Sequence, residues 1–352
     1  MMLIKQFGQA PTGNRLKKLQ ASAHYDTKTG TFLNIHETPT LTEGYSMSQV
    51  MYNFLFKKHP RVNPSQPIPV IKTDITSLDL IQNLLIWFGH SSYYFQLNGQ
   101  RFLVDPVFSG NASPIPGSNK PFKGTKIYSA QDMPVIDYLV ITHDHYDHLD
   151  YPTILQLQSK VKKVICGLGV GQHFLYWGYG LQQLIELDWH QKLNLANLTE
   201  LYTAPARHFS GRGFKRNNTL WLSFVLTTPS FKLYLGGDSG YDSHFKELGE
   251  KFQGFDLALL DNGQYNPAWQ AIHMLPHETL QAAHDLKTKR LMPVHNSKFK
   301  LSVHPWDEPL QTISALNAAG SQPLPLVTPI IGEIVWLDRP DQPFQHWWEQ
   351  LE

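Results

Sequence analysis

Asp137-Tyr138-Leu139-Val140-Ile141-Thr142-His143-Asp144-His145-Tyr146-Asp147-His148-Leu149-Asp150 is an apolar segment that runs straight into a cluster of imidazoles and carboxylates. Its first half reads as a buried strand, so the polar cluster falls on the loop just beyond a rigid strand end. A metal site needs this arrangement, because an ion demands ligand geometry good to a fraction of an ångström. Mixed imidazole and carboxylate donors suit zinc, manganese or iron, whereas all-oxygen sets suit calcium or magnesium. Three histidines and an aspartate at this spacing favour Zn2+, with Mn2+ or Fe2+ as the alternatives. One short loop cannot encircle two ions, and the later chain offers further donors, each at a strand end. His208 follows Leu201-Tyr202-Thr203-Ala204, Asp238 follows Leu233-Tyr234-Leu235-Gly236-Gly237, and His295 follows Leu291-Met292-Pro293-Val294. The glycines before Asp238 let the backbone approach closely, and a carboxylate there can bridge two cations and offset their charge.

Outward from this run, short apolar segments bounded by Gly, Asn and Pro predict strands at 84–88, 92–97 and 101–104, with Asn98-Gly99 as a hairpin turn. Further strands are expected at 138–142, 163–166, 199–205, 220–227, 232–236, 257–260 and 290–293. Helices are expected at 243–252 and, with a Pro-initiated first turn, at 276–286. Strands in two groups with helices between them predict sheets packed face to face and covered by helices. Residues 1–75 are turn-rich, with Pro60, Pro64, Pro67 and Pro69 near their end, and read as an extension wrapping a body of residues 76–340; residues 341–352 form a tail. Within the extension, Val50, Met51, Phe54 and Leu55 have helical spacing and predict a short helix over 48–58 that docks on the body.

The 352 residues are 41% hydrophobic and 12% aromatic, enough for a sizeable core. With Lys+Arg 30 against Asp+Glu 29, the net charge of +1 supplies no overall basic field to hold nucleic acid. A single cysteine, Cys166, excludes an internal disulfide framework and reads as a small buried hydrophobe. The N-terminal run lacks the apolar core of a secretory signal, and no stretch approaches ~20 uninterrupted apolar residues. The expected location is cytoplasmic, with peripheral membrane association compatible and a membrane span not.

The motif His143-Asp144-His145-Tyr146-Asp147-His148, with Trp87-Phe88-Gly89-His90, Asp105-Pro106, Gly236-Gly237-Asp238-Ser239-Gly240-Tyr241 and Pro293-Val294-His295, resembles metallo-β-lactamase-fold hydrolases. Within that superfamily it is most similar to the N-acylphosphatidylethanolamine-hydrolysing phospholipase D group and its bacterial relatives. The resemblance spans roughly residues 84–299, and the run His273-Met274-Leu275-Pro276-His277-Glu278 extends it. It implies an α/β fold, an αββα sandwich with an N-terminal extension, and a binuclear zinc site at one edge. By the resemblance, His143, His145 and His208 hold one ion, Asp147, His148 and His295 the other, and Asp238 bridges them. Where the phospholipase group follows its last histidine with Trp-Gly-Thr-Phe, this chain reads His295-Asn296-Ser297-Lys298-Phe299. The departure touches the substrate and spares the metal site. The cysteine ligand common in the fold's β-lactamases is absent, and His145 stands where the redox branch carries glutamate, so neither antibiotic hydrolysis nor oxygen reduction is expected.

Around this set, His90 and Asp105 are expected to support the ligands, since metal-bound histidines donate their other ring proton to a fixed acceptor. The bland alternatives are a core histidine and a turn before Pro106. His273 reads either as a substrate-binding group and proton donor or as a residue near a helix start. Arg207, Arg212, Lys215 and Arg216 surround His208 in sequence, and Arg207 and Arg212 are expected to bind an anionic substrate unless the loop is merely solvated. Tyr176-Trp177-Tyr179 reads as packing before it reads as a substrate groove, and Trp347-Trp348 as a docked tail. The expected function is zinc-dependent hydrolysis by a metal-bridging hydroxide, with Asp147 and His273 as catalytic groups and an N-acylphosphatidylethanolamine-like phosphodiester as substrate. The alternative is a lactonase or other ester hydrolase; a metal-binding regulatory protein without activity fits a full ligand set least. No macromolecular partner is implied beyond a small-molecule or lipid substrate.

Overall fold

The structure is a computed structural model that describes residues 2–351, apart from Pro116 and Phe214. The N-terminal segment carries helices α1 (Met2–Lys5) and α2 (Gly13–Gln20), a small hairpin of β1 (Tyr25–Asp26) and β2 (Thr31–Phe32), and helix α3 (Met47–Phe56). The first half of the body follows with β3 (Leu84–Trp87), β4 (Tyr93–Leu97), β5 (Gln100–Val104), β6 (Ile136–Ile141), α4 (Tyr151–Leu157), β7 (Val161–Gly167), α5 (Gly171–Tyr176) and β8 (Leu184–Leu187). The second half has β9 (Lys192–Asn194), β10 (Glu200–Ala204), β11 (Ser223–Thr227), β12 (Lys232–Leu235), α6 (His244–Phe252), β13 (Leu257–Asp261), α7 (Pro276–Asp285), β14 (Leu291–Val294) and α8 (Glu308–Ala319). A last strand, β15 (Ile334–Trp336), returns to the first half.

These strands form a seven-stranded sheet, in the order β15-β3-β4-β5-β6-β7-β8, and a six-stranded sheet, β14-β13-β12-β11-β10-β9. Each is antiparallel over one part and parallel over the other: β5 to β8 run parallel, as do β12 to β14. Period-2 alternation explains the layering. Leu85, Trp87, Phe102 and Val140 face inward and meet Phe224, Leu226, Leu235 and Leu259 of the other sheet in one core. Their neighbours Leu84, Ile86, Leu139 and Ile141 face outward, beneath Ile154 and Leu157 of α4 and Phe174 of α5. Val225, Tyr234, Ala258 and Leu260 likewise lie beneath Phe245 and Leu248 of α6 and Ile313 of α8. Sheets apolar on both faces must be covered on both, and the result is the expected αββα sandwich. Pro293 is tolerated in β14 because that strand is the edge of its sheet.

Two expectations need correction. The helix α3 starts where Ser46 caps it, Oγ accepting from the Gln49 amide and the Gln49 side chain accepting from the Ser46 amide. It does not dock by the whole face expected: Val50 is half-buried, but Met51 and Phe54 are 54% and 40% exposed. The side chain of Leu55 lies outside the described residues. The helix lies over a cavity and not over a filled core, so its neighbours leave much of it in solvent. Helices α1, α2, α4, α5 and α8 were not expected from the sequence; α4 and α5 are only seven and six residues long, too short to display an amphipathic period. Cys166, Trp177, Tyr179, Trp347 and Trp348 are buried, consistent with packing, whereas Tyr176 is exposed and does not pack as expected. Among the described residues, no helix is long and apolar enough to cross a membrane.

Candidate metal centre

The strands β6, β10, β12 and β14 all end at the same edge of the sandwich, and each delivers its donor there. Gly237 makes the approach possible: at φ +62° its backbone passes so close that a Cβ would lie 3.0 Å from that of Thr142. His143 Nε2 lies 2.9 Å from His145 Nδ1, which is 3.3 Å from His208 Nε2. Asp238 Oδ2 faces this triad, 3.7 Å from His143 Nε2 and 3.8 Å from His208 Nε2, and is 3.1 Å from His148 Nε2. Its other oxygen, Oδ1, is 3.1 Å from His295 Nδ1. Asp147 Oδ2 is 3.6 Å from His148 Nε2 and 2.9 Å from His90 Nε2. The structure thus brings all seven sequence-named donors together in overlapping clusters: His143, His145 and His208; Asp147, His148 and His295, with His90; and Asp238 with His143 and His148 or with His208 and His273.

Behind the donors lies a layer of acceptors. Asp105 Oδ2 is 2.7 Å from His148 Nδ1, and the same carboxylate accepts from the Thr142 amide and hydroxyl. The carbonyl of Ile272 is 3.0 Å from His208 Nδ1. With the outer ring nitrogen occupied, Nε2 of each ring is left facing the cluster. Three of the residues that shape this edge, His90, Asp105 and His295, hold left-handed backbones at φ 56°, 40° and 67°. Such conformations cost on the order of 1–3 kcal/mol each and persist where the surroundings enforce them.

The electrostatics separate the imidazoles. Burial, reinforced by the crowding of neighbouring rings, holds His143, His208 and His295 well below the ordinary histidine range. Burial also opposes charge on His148, but the carboxylates of Asp238, Asp147 and Asp105 outweigh it and hold that ring well above the range. Burial works against ionised Asp238 too, yet His148 and His295 keep its carboxyl well below the usual value. Within this dense cluster His148 Nε2 and Asp238 Oδ1 are buried without a hydrogen-bond partner. Buried polar atoms left unpaired are costly. A divalent cation would satisfy both, so the donor set fits a metal.

The cluster forms the floor of a cavity of about 260 Å³ walled by Leu41, Met47, Val50, Phe209, Trp269 and Ile272. Val50 and Trp269 are shared with a second cavity of about 210 Å³ that extends along α3 towards Lys57 and His59. His273 lines the first cavity, its Nδ1 2.7 Å from Asp261 Oδ2.

The two arginines expected to meet substrate are engaged in the scaffold. Arg212 is buried and donates to the carbonyls of Asp144 and Leu149, at the two ends of the histidine loop, and to that of Gln6. Arg207 donates to the carbonyls of Glu37 and Tyr241 and to Thr38 Oγ1. Both side chains pair with backbone acceptors from segments distant in sequence, which spacing does not reveal. Arg216 stacks over Phe209, a wall of the cavity, with its guanidinium carbon 4.8 Å from the ring centre. Sequence reasoning also passed over Asp261, Asn34 and His173. Asn34 brackets His208, accepting from its amide and donating to its carbonyl. His173 Nε2 lies 3.2 Å from Asp144 Oδ2 and its Nδ1 accepts from the Gln9 amide.

Residues 100–296 match the family described as a beta-lactamase superfamily domain. An uncharacterized protein of Mycobacterium tuberculosis is 36% identical over 325 residues, covering 91% of this chain and 86% of its own. The chain belongs to the metallo-β-lactamase superfamily. The coarse expectation of a metal-dependent hydrolase with this fold therefore holds. A superfamily relative from Saccharomyces cerevisiae, described as a mitochondrial N-acyl-phosphatidylethanolamine-hydrolyzing phospholipase D, is 33% identical over 66% of this chain. This chain spans about half (52%) of that protein. Among solved structures, the isothiocyanate hydrolase from Delia radicum gut bacteria shares the metallo-β-lactamase fold, with a TM-score of 0.56 at 18% identity over 72% of this chain and 98% of that one.

Proposed function

We propose that this chain is a binuclear, zinc-dependent phosphodiesterase acting on an N-acylphosphatidylethanolamine-like phospholipid. The observation that carries the reading is the cluster of buried His and Asp donors, with unpaired atoms on His148 and Asp238, at the floor of an apolar-walled cavity. His143, His145 and His208 are assigned to one ion, Asp147, His148 and His295 to the other, and Asp238, whose two oxygens face the two groups, to both. Ions held there supply Lewis acidity and lower the pKa of a coordinated water toward ~7.

The chain's own residues do the rest. Asp105 and the Ile272 carbonyl keep the histidine rings turned inward, and His90 holds the Asp147 carboxylate. The apolar walls exclude water and receive the hydrocarbon part of the substrate, and the second cavity along α3 prolongs that path. His273 stands where it can protonate a leaving oxygen. The exposed Met51, Tyr52 and Phe56 of α3, beside the cavity, suit a substrate drawn from a lipid surface, as does kinship to a phospholipase.

One observation favours a neutral ester or lactone instead: among the described residues that wall the first cavity there is no Lys or Arg. Metal analysis and a substrate panel separate the readings. Phosphodiester turnover of bis-p-nitrophenyl phosphate and of N-acyl phospholipid, lost on chelation, is the expected result. Turnover of lactones alone would move the assignment to the ester reading, and bound metal without any turnover to a non-catalytic one.

A further inference from the structure

We propose that Asp261 is a positioning residue that aims His273 at the leaving group. The inference rests on the hydrolytic reading above and adds a residue to it. Asp261 ends β13, the strand between those that deliver Asp238 and His295. Its side chain is fully buried and lines no wall of the cavity, so it cannot touch substrate and acts through what it holds. Oδ2 lies 2.7 Å from His273 Nδ1, while Oδ1 accepts from the Gly263 amide. The aspartate is itself fixed, because Thr279 Oγ1 donates to its carbonyl at 2.8 Å.

His273 has no freedom to turn away. Its ring is stacked on that of His295 at 5.1 Å and 15°, and lies edge-on to His208 at 5.1 Å. The residues on either side are tied down: the Ile272 carbonyl to His208, and the Met274 amide to the Ser239 carbonyl. With Nδ1 committed to Asp261, Nε2 is on the opposite edge of the ring, the edge presented to the cavity. A carboxylate behind an imidazole fixes its tautomer and direction and balances the charge that a proton would bring. In the resting ring Nδ1 carries the proton and Nε2 is bare; Nε2 takes the proton that the attacking water loses, and as the bond to the leaving oxygen breaks, that oxygen keeps the bonding pair and takes the proton from Nε2.

The test compares Asp261→Asn, Asp261→Ala, His273→Ala and the Asp261→Ala/His273→Ala double variant, all loaded with zinc. Each is expected to keep the wild-type metal content. Asp261→Ala is expected to lower kcat by roughly 10²-fold on esters with a poor alcohol leaving group, and far less on p-nitrophenyl esters, with KM little changed. Asp261→Asn, which still offers an acceptor, recovers part of that loss. The double variant is expected to be no slower than His273→Ala. Nitrogen NMR of histidine-labelled protein gives a readout independent of turnover: His273 carries its proton on Nδ1 in the wild type and loses that preference in Asp261→Ala. Additive losses, metal loss on replacing either residue, or a ring tautomer indifferent to Asp261 would overturn the proposal. Failure on phosphodiesters with these couplings intact on carboxylic esters would instead overturn the choice of substrate.

Discussion

Asp105 is the acceptor for three buried donors at once, the ring of His148 and the amide and hydroxyl of Thr142. Replacing it with Ala strands those groups, which costs about 3–5 kcal/mol for a broken buried charged pair. A melting temperature lowered by several degrees, together with a 10–100-fold loss of metal affinity, is the expected outcome. The pKa directions make a second prediction. His143, His208 and His295 are held low and are already neutral near pH 7, whereas His148 is held high and carries a proton that a metal must displace. On metal binding the ligands should then release about one proton and not three or four, with up to about one more from the coordinated water, as calorimetry in buffers of different ionisation enthalpy would measure. Lys298 supplies a third. Its buried Nζ donates to the carbonyls of Phe88 and Val107, and burial pushes its pKa down to about 7. An unfolded lysine titrates near ~10.4, so between these values the unfolded chain holds a proton that the native one lacks. The contribution is complete above the unfolded pKa and is lost as pH falls through the folded one. Urea denaturation should show stability rising from about pH 7 toward ~10 in the wild type and a flatter profile in Lys298→Met.

At the scale of elements, the segment around Gln6 and Gln9 is part of the histidine loop's foundation. Arg212 bonds to both ends of that loop and to Gln6, and stacks on Tyr146 and Trp177. Removing residues 1–10 deprives a buried guanidinium of one of its acceptors and His173 of its amide partner. A loss of about 2–4 kcal/mol is expected, with faster hydrogen exchange over residues 143–149. The helix α3 invites a different experiment. Replacing Met51 and Phe56, both more than half exposed, with Ser removes apolar surface beside the cavity without touching the fold. Turnover of vesicle-borne phospholipid should fall while turnover of a soluble phosphodiester is unchanged; equal loss on both would dissociate α3 from lipid access.

Across the whole molecule, the donors come from both sheets: His143, His145, Asp147 and His148 follow β6, and His208, Asp238 and His295 follow strands of the other sheet. Bound metal would staple the two sheets at one edge. By mass action, a ligand at 100 times its Kd stabilises the native state by about 2.7 kcal/mol, so chelation should lower the melting temperature, and readdition restore it.

How much of this was legible in the chain divides along physical lines. Strands with apolar runs and the donors at their ends were readable from local sequence, because strand period, turn residues and ligand chemistry are local properties. The segments 84–88, 232–236 and 257–260 match β3, β12 and β13 to within a residue or so, and the helix expected at 276–286 is α7. The seven donors were named from their places just beyond strand ends, while their division between two ions and the attention to His90, Asp105 and His273 came from the family resemblance. Partnerships across long separations were not legible. Arg207 and Arg212 read as substrate groups until the fold placed backbone carbonyls around them; Asp261 read as nothing until β13 set it beneath His273. The docked face expected of α3 failed for the same reason, since periodicity shows that a face is apolar but not whether anything covers it. The sequence by itself determined what chemistry the strand ends could carry. Tertiary structure decided which charges remain free to meet a substrate, because a side chain's availability depends on distant residues that folding brings to it.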